Sequence, residues 1–184
     1  MLKEPRPGRV KTRLGRDIGM VRAAWWFRHQ SARLLRRLTL DPRWQTVLAV
    51  SPDHAGMISR VWPPAIARWP QGRGNLGARM GRVFRRMPPG PVVIIGADIP
   101  GIGRGHVARA FGLLGTHDAV FGPADDGGYW LVGMKRAAPL PGTLFDGVRW
   151  SGRHALGDTI RSMPGLKIGF LEQLRDVDEA ADLQ

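Results

Sequence analysis

The sequence predicts an α/β fold with a mostly parallel sheet, and three observations carry that expectation. Val92-Val93-Ile94-Ile95, and with it the run at 46–50, has neither a helical nor an alternating apolar period, so it reads as a short strand buried on both faces. Amphipathic helical spacing fills the intervening stretches, most clearly between Met20 and Leu38 and from Leu76 to Met87. Glycine and proline clusters punctuate the change from one period to the other.

Bulk properties narrow the function classes. A length of 184 residues suits a single domain over residues 1–184 with a substantial core. The absence of cysteine excludes disulfides, thiolate metal sites and cysteine nucleophiles, and it agrees with a cytoplasmic location. No apolar run reaches membrane-spanning length, and the first residues lack the apolar core of a signal peptide. The formal net charge is +13 and the pI near 11.6. Among the 28 basic residues only Lys3, Lys11, Lys135 and Lys167 are lysines. Such an arginine surplus suits nucleic acid, an anionic small substrate, or a solvated surface.

Residues 3–14 form a basic loop with two prolines and a glycine, a composition able to wrap a polyphosphate. A basic terminal tail is the competing reading, opposed by the prolines and by the helix that follows directly. Between Met20 and Leu38, Ala24, Phe27, Ser31, Leu34, Leu35 and Leu38 form a core stripe, with Arg22, His29, Arg33 and Arg36 opposite. That spacing describes a solvated helix face rather than a nucleic-acid patch. Trp25 and Trp26 read as packing residues beside the stripe.

Residues 46–50 form a second strand, ended by Ser51-Pro52, and a short helix at 55–61 precedes a brief strand at 66–69. From 71 to 77 the chain reads Gln-Gly-Arg-Gly-Asn-Leu-Gly, opening a helix whose inner face carries Leu76, Met80, Val83, Phe84 and Met87, with Asn75 as its N-cap. Gly72, Gly74 and Gly77 satisfy the dinucleotide fingerprint, and Asp98 follows about 20 residues later, where that fingerprint wants an acid. An NAD(P)-binding oxidoreductase is therefore a competing class. Against it, Pro63, Pro64 and Pro70 crowd the strand that should precede the glycines, and Arg68 lies inside it.

Asp98 stands where the 92–95 strand runs out and Pro100 bars its continuation, at the strand end where open α/β sheets bind ligands. Capping of the next turn is the plainer role for an Asp-x-Pro sequence. A helix at 105–114 uses Val107, Ala110, Phe111 and Leu114, and a strand at 119–121 leads into Asp125-Asp126-Gly127-Gly128-Tyr129. Neighbouring carboxylates and glycines there suit a cation or a sugar hydroxyl, and they equally suit a turn between strands. A helix at 153–162 capped by Ser151, a strand at 166–170 and an acidic tail at 176–183 complete the chain. Asp176 and Asp178 alternate along that tail, so only one of them reaches a shared ion if the tail is extended. A helix start is the alternative.

Four patterns thus occur in a fixed order. They are the basic loop with Lys3, Pro5, Pro7, Gly8, Lys11, Thr12, Arg13 and Leu14; Gln71-Gly72-x-Gly74; Gly96-x-Asp98-x-Pro100; and Asp126-Gly127-Gly128-Tyr129-x-Leu131-Val132-Gly133. Together with the Asp176-Val177-Asp178 tail they resemble the nucleotide-diphospho-sugar transferase superfamily, whose GT-A-like fold serves sugar-nucleotide pyrophosphorylases, molybdenum-cofactor and phospholactate guanylyltransferases and many glycosyltransferases. The nearest pattern is an uncharacterised bacterial glycosyltransferase-like branch.

The resemblance implies a Rossmann-like three-layer α/β/α sandwich with a truncated first strand. It implies phosphate contacts from Lys3, Lys11 and Arg13, a nucleobase site at Gln71, Gly72 and Gly74, and an acceptor side at Asp126, Gly127, Gly128 and Tyr129. Asp98 would bind Mg²⁺ or Mn²⁺ with Asp176 or Asp178, and Lys11, Asp98 and Asp126 would be catalytic. Partners would be an NTP or nucleotide-sugar and a small-molecule acceptor, in nucleotidyl or, alternatively, glycosyl transfer; a basic nucleic-acid-binding module is a remote alternative. Developing charge on phosphate oxygens is what the ion and the cations would stabilise. Arg73 and Asn75 replace acidic residues of the family pattern. Only Met1 and Leu2 remain of the family's first strand, so either this start is internal to a longer chain or the strand is a stub, with a poorly anchored basic loop.

Overall fold

A computed structural model describes residues 1–183 and divides the chain into two compact units. One comprises Met1–Gln71, Gly96–Arg104 and the segment from Asp176; the other comprises Gly72–Ile95 and Gly105–Arg175.

The first unit holds an all-parallel sheet of β1 (Leu2–Lys3), β2 (Leu48–Ser51) and β3 (Arg68–Pro70), in that order. Leu2 lies opposite Val50, and Val50 opposite Pro70, so the three strands end along one edge. β1 is a two-residue stub, as expected. Gln71 ties that edge together, for its buried amide donates to the carbonyls of Leu2 (3.1 Å) and Ala49 (2.8 Å). β3 starts two residues and ends one residue later than the expected 66–69, and its doubtful arginine has a role: the Arg68 guanidinium donates to the Met57, Ser59 and Trp62 carbonyls. Those bonds secure the end of α3 (Asp53–Ile58), which starts and finishes earlier than the expected 55–61.

A separate short helix, α1 (Thr12–Ile18), precedes α2 (Met20–Leu38), whereas the sequence suggested that the basic loop ran straight into one long helix. Gly19, at φ +92°, makes the break. Gly15 allows the close return, since a Cβ there would lie 2.5 Å from Met20 Sδ. The α2 stripe is buried as expected, and Arg22, His29, Arg33 and Arg36 are exposed. Trp25 departs from expectation: it is 63% exposed, its ring tilted against that of His29 with centroids 3.8 Å apart, because it lies on the Arg22–His29 face and not beside the stripe. Trp26 does pack, against a cluster of Leu14, Ala23 and Val177.

The second unit contains a mixed sheet ordered β4 (Val92–Ile95), β6 (Tyr129–Met134), β5 (Ala119–Pro123), β7 (Ile168–Phe170). β6 runs antiparallel to both β4 and β5, and β5 runs parallel to β7. The α/β class holds, with parallel pairing throughout the first sheet and one parallel pair in the second. Val92–Ile95 is a strand, but it ends its sheet's order and only Ile94 is fully buried, so the expectation of burial on both faces fails. Val120, Phe121, Leu131 and Val132 fill the centre instead, each worth about 1.5–3 kcal/mol when fully buried.

Helix α4 (Leu76–Arg86) is capped by Asn75, whose side chain accepts from Ala78 N at 2.9 Å. Met80, Val83 and Phe84 form its inner face; Leu76, expected there, is 44% exposed in the first turn. Helix α5 (Arg104–Leu113) buries Val107 and Ala110. Helix α6 (Ala155–Arg161) is shorter than expected and starts from His154, while Ser151 stands outside it at φ +66° and caps nothing. Asp158 explains the shift. Its carboxylate accepts from Arg149 N (3.0 Å) and Nε (2.8 Å) and pairs with Arg161, so residues 149–154 fold back as a loop. No described helix is long and apolar enough to cross a membrane.

Candidate functional site

Lys11 is the N-cap of α1 and adopts the left-handed conformation, φ 45° and ψ 50°, which costs a side chain with a Cβ about 1–2 kcal/mol. The strained backbone sends its ammonium inward. Nζ lies 2.8 Å from Asp98 Oδ2 and 2.8 Å from Asp178 Oδ1, with the Lys11 side chain only 4% exposed. The two carboxylates are 45% and 30% exposed. A buried ammonium therefore underlies a pair of carboxylates open to solvent. Burial pulls the Lys11 pKa down, but Asp98 and Asp178 together outweigh it, and the net shift is upward.

Packing and alternation place Asp178. Val177 is buried against Leu14 and Ala23, which turns its neighbour toward Lys11. Arg13 completes the group, Nη1 to Asp178 Oδ2 at 3.0 Å, and is 60% exposed. The tail is pinned further on. Ala180 N donates to Asp17 (3.0 Å), and Asp182 accepts from the amides of Asp178 (3.0 Å) and Glu179 (2.9 Å) in a capping box for the 3-10 turn Ala180–Asp182. The helix-start reading thus holds at Asp182, while Asp178 faces Lys11.

The Asp98 loop is held from behind. Val177 N donates to the Asp98 carbonyl (3.4 Å), and Arg37 Nη1 donates to the carbonyls of Pro100 (3.0 Å) and Ile102 (2.5 Å). Arg104 Nε reaches back to the Arg37 carbonyl (2.6 Å). Sequence reasoning missed Arg37, because its spacing on α2 is that of a solvated arginine. The expected poor anchoring of the basic loop is corrected by the same geometry: Val10 is buried, and Lys11 is fastened at two carboxylates.

Of the residues expected in the site, Lys11, Arg13, Asp98 and Asp178 come together. Lys3 is exposed at the end of β1, and Gln71 lies buried at the end of β3. Asp176 is half-buried two residues before Asp178. Gly72 and Gly74 both have positive φ, +76° and +107°. The Arg82 guanidinium lies over Gly72, 2.6 Å from where a Cβ would stand. Gly77 serves packing, since a Cβ there would meet Phe145 Cβ at 2.6 Å. A strand, β3, does precede these glycines, and within the second unit β4 pairs antiparallel with β6.

In the second unit Asp126 is exposed and accepts from Gly128 N at 2.8 Å, closing an Asx turn. Gly127 stands at φ +82°, and a Cβ on it would lie 2.4 Å from Arg153 Cα. Tyr129 hydrogen-bonds Thr159 Oγ1 at 3.3 Å, and burial pushes its phenol pKa up, so it stays protonated. The turn between β5 and β6 anticipated from the sequence is present, with Asp126 and the glycines shaping it. An apolar surface depression of about 530 Å³ between Ile18, Val21, Arg22, Trp25 and Trp26 shares no residue with the Lys11 cluster.

Comparisons with known proteins agree with this architecture. The model of a family described as an uncharacterized protein conserved in bacteria (DUF2064) matches residues 34–152. No curated protein matches the sequence. A crystal structure from Desulfovibrio desulfuricans G20, provisionally described as a nucleotide-diphospho-sugar transferase, superposes with a TM-score of 0.86 at 30% identity, covering 99% of this chain and 81% of that one.

Proposed function

This chain belongs to the bacterial DUF2064 family and has the fold of a nucleotide-diphospho-sugar transferase, and on that premise we propose that it is a transferase whose donor carries a nucleotide-linked diphosphate or triphosphate. The observation that carries the reading is the meeting of Lys11 with Asp98 and Asp178 beside Arg13.

The residues fit a divalent ion. Mg²⁺ and Mn²⁺ take hard oxygen donors, and Mg²⁺ needs only one or two carboxylates when substrate phosphates complete its shell. Asp98 and Asp178 supply two such carboxylates, partly open and converging on one cation already, the Lys11 ammonium. They would hold the ion, Asp178 rather than Asp176 being the second ligand. When bound, it supplies charge neutralisation on the leaving phosphate oxygens. Lys11 and Arg13 would do the rest: the first is a buried point charge, the second an exposed planar fork suited to a phosphate. Asp126, Gly127, Gly128 and Tyr129 are assigned to the acceptor, with Asp126 the first candidate for moving its proton. Gln71, Gly72 and Gly74 are assigned to the base.

A nucleotide-sugar donor is favoured by the description of the Desulfovibrio relative. An NTP donor is the second reading, favoured by the basic composition of residues 3–14. Thermal-shift measurements with Mg²⁺ and NTPs, nucleotide-sugars, NAD(P) or oligonucleotides test the class. The expected result is stabilisation by one of the first two groups, dependent on Mg²⁺ and abolished by Asp98→Asn. Stabilisation by NAD(P) alone overturns it. Product analysis separates the two donors, because glycosyl transfer releases a nucleoside phosphate and nucleotidyl transfer releases pyrophosphate.

A further inference from the structure

We propose that Lys11 is the built-in counter-ion of Asp98 and Asp178, and that it makes the site selective for a divalent ion and a diphosphate taken together over either alone. This rests on the functional reading above and adds the order in which charges must be exchanged.

Two of the three ammonium donors of Lys11 are spent on the two carboxylates, at 2.8 Å each. A divalent ion approaching those oxygens meets a like charge already seated against them. It also takes away the partners of an ammonium that is 4% exposed, and a buried charge stripped of its partners is strongly disfavoured. Retreat into water would require this buried ammonium to leave both carboxylates at once. Among the described residues no cluster of three acidic or histidine groups offers an alternative grip on the ion.

A diphosphate removes the conflict. Its oxygens give Lys11 new acceptors, and the carboxylates are then free to turn to the ion, which the diphosphate itself helps to bind. Each ligand must consequently raise the affinity of the other by the same factor. Arg13 is a control supplied by the fold. It pairs with the same Asp178 carboxylate but is 60% exposed, so water screens it and lets it swing away at little cost.

The decisive measurement is free Mn²⁺ by electron paramagnetic resonance, with no nucleotide present, on the wild-type chain, Lys11→Met and Arg13→Met. Lys11→Met should bind Mn²⁺ alone roughly 10-fold or more tighter than wild type, and Arg13→Met should differ by less than about 3-fold, within the usual range of coupling factors. Lys11→Gly, which also removes the left-handed strain, repeats the test should the methionine variant fail to fold. Unchanged Mn²⁺ affinity in a folded Lys11 variant overturns the proposal, as does an equal gain in Arg13→Met. Inorganic pyrophosphate with Mg²⁺ forms the second arm. Wild type should be stabilised by the pair beyond the sum of the separate shifts, and the excess should vanish in the Lys11 variant. If wild type responds to no nucleotide or pyrophosphate with Mg²⁺, the functional reading itself fails; if it responds but Lys11→Met leaves Mn²⁺ affinity unchanged, only the counter-ion role fails.

Discussion

The Lys11 ammonium lies 2.8 Å from a carboxylate oxygen of Asp98, yet the lysine side chain is 4% exposed and the aspartate side chain 45%. The burial is lopsided, so the two residues have different dependencies. Asp98 can lose Lys11 and be rehydrated, whereas Lys11 has little water at hand to replace Asp98 and Asp178.

Lys11→Ala should therefore destabilise the protein by about 1–3 kcal/mol, between the values for exposed and fully buried ion pairs. Lys11→Gly should cost less than Lys11→Ala, because glycine is at ease at φ 45°. Denaturant titration of both variants checks the order, and an alanine variant as stable as the glycine one contradicts it.

Asp98→Asn should keep the fold, since its loop is held by Arg37 and by Val177 N through main-chain carbonyls. Its expected phenotype is loss of Mg²⁺-dependent stabilisation by nucleotides, with a melting temperature lowered by a few degrees without ligand because the buried Lys11 ammonium keeps only Asp178 as a charged partner. Scanning calorimetry with and without ligand separates the two effects.

Gly127→Ala should destabilise by about 2 kcal/mol or more, for two additive reasons. Its φ is +82°, and the new Cβ would press on the Arg153 backbone, which cannot swing aside as a side chain would. Urea unfolding gives the value; a change below about 0.5 kcal/mol would mean that the turn rearranges freely.

Asp158 provides a pH test. Hydrogen bonds from the Arg149 side chain and backbone hold its carboxyl well below the usual carboxylate range. A depressed folded-state pKa means that the unfolded chain binds the proton first, so the contribution is complete above about pH 4 and is lost as pH falls toward the folded value. Asp158→Asn should be less stable than wild type at neutral pH, and the gap should narrow progressively below about pH 4. A gap independent of pH would assign the loss to packing.

Trp25→Ala should be nearly neutral, within about 0.5 kcal/mol, despite removing the largest kind of side chain. The ring is 63% exposed and touches chiefly His29. Chemical denaturation of this variant beside Phe27→Ala, expected to lose about 3–5 kcal/mol from a buried position, checks the contrast.

The α2 stripe shows what a sequence states clearly. Phe27, Leu34, Leu35 and Leu38 recur at helical spacing, and their burial follows from that period alone. Asn75 was equally legible, because capping is a local bond to Ala78 N. Trp25 was not, since a neighbour of the stripe falls inside or outside according to what packs against the helix. α1 also escaped notice: seven residues with one buried leucine make too short a period to recognise.

What the chain alone determined was local, together with residue types that come in a fixed order: strand and helix periods, the N-cap, the turn glycines, and a set of candidates in Lys3, Lys11, Arg13, Asp98, Asp176 and Asp178. Only the tertiary structure decided that Asp178 and not its neighbour at 176 meets Lys11, that Arg37 braces the Asp98 loop, and that Val92–Ile95 ends its sheet's order. The physical reason is range. Backbone preferences and apolar periods act over a few residues, whereas the partner of a buried ammonium is set by which distant segments burial brings within 3 Å, here Val177 seating the tail against Leu14 and Ala23.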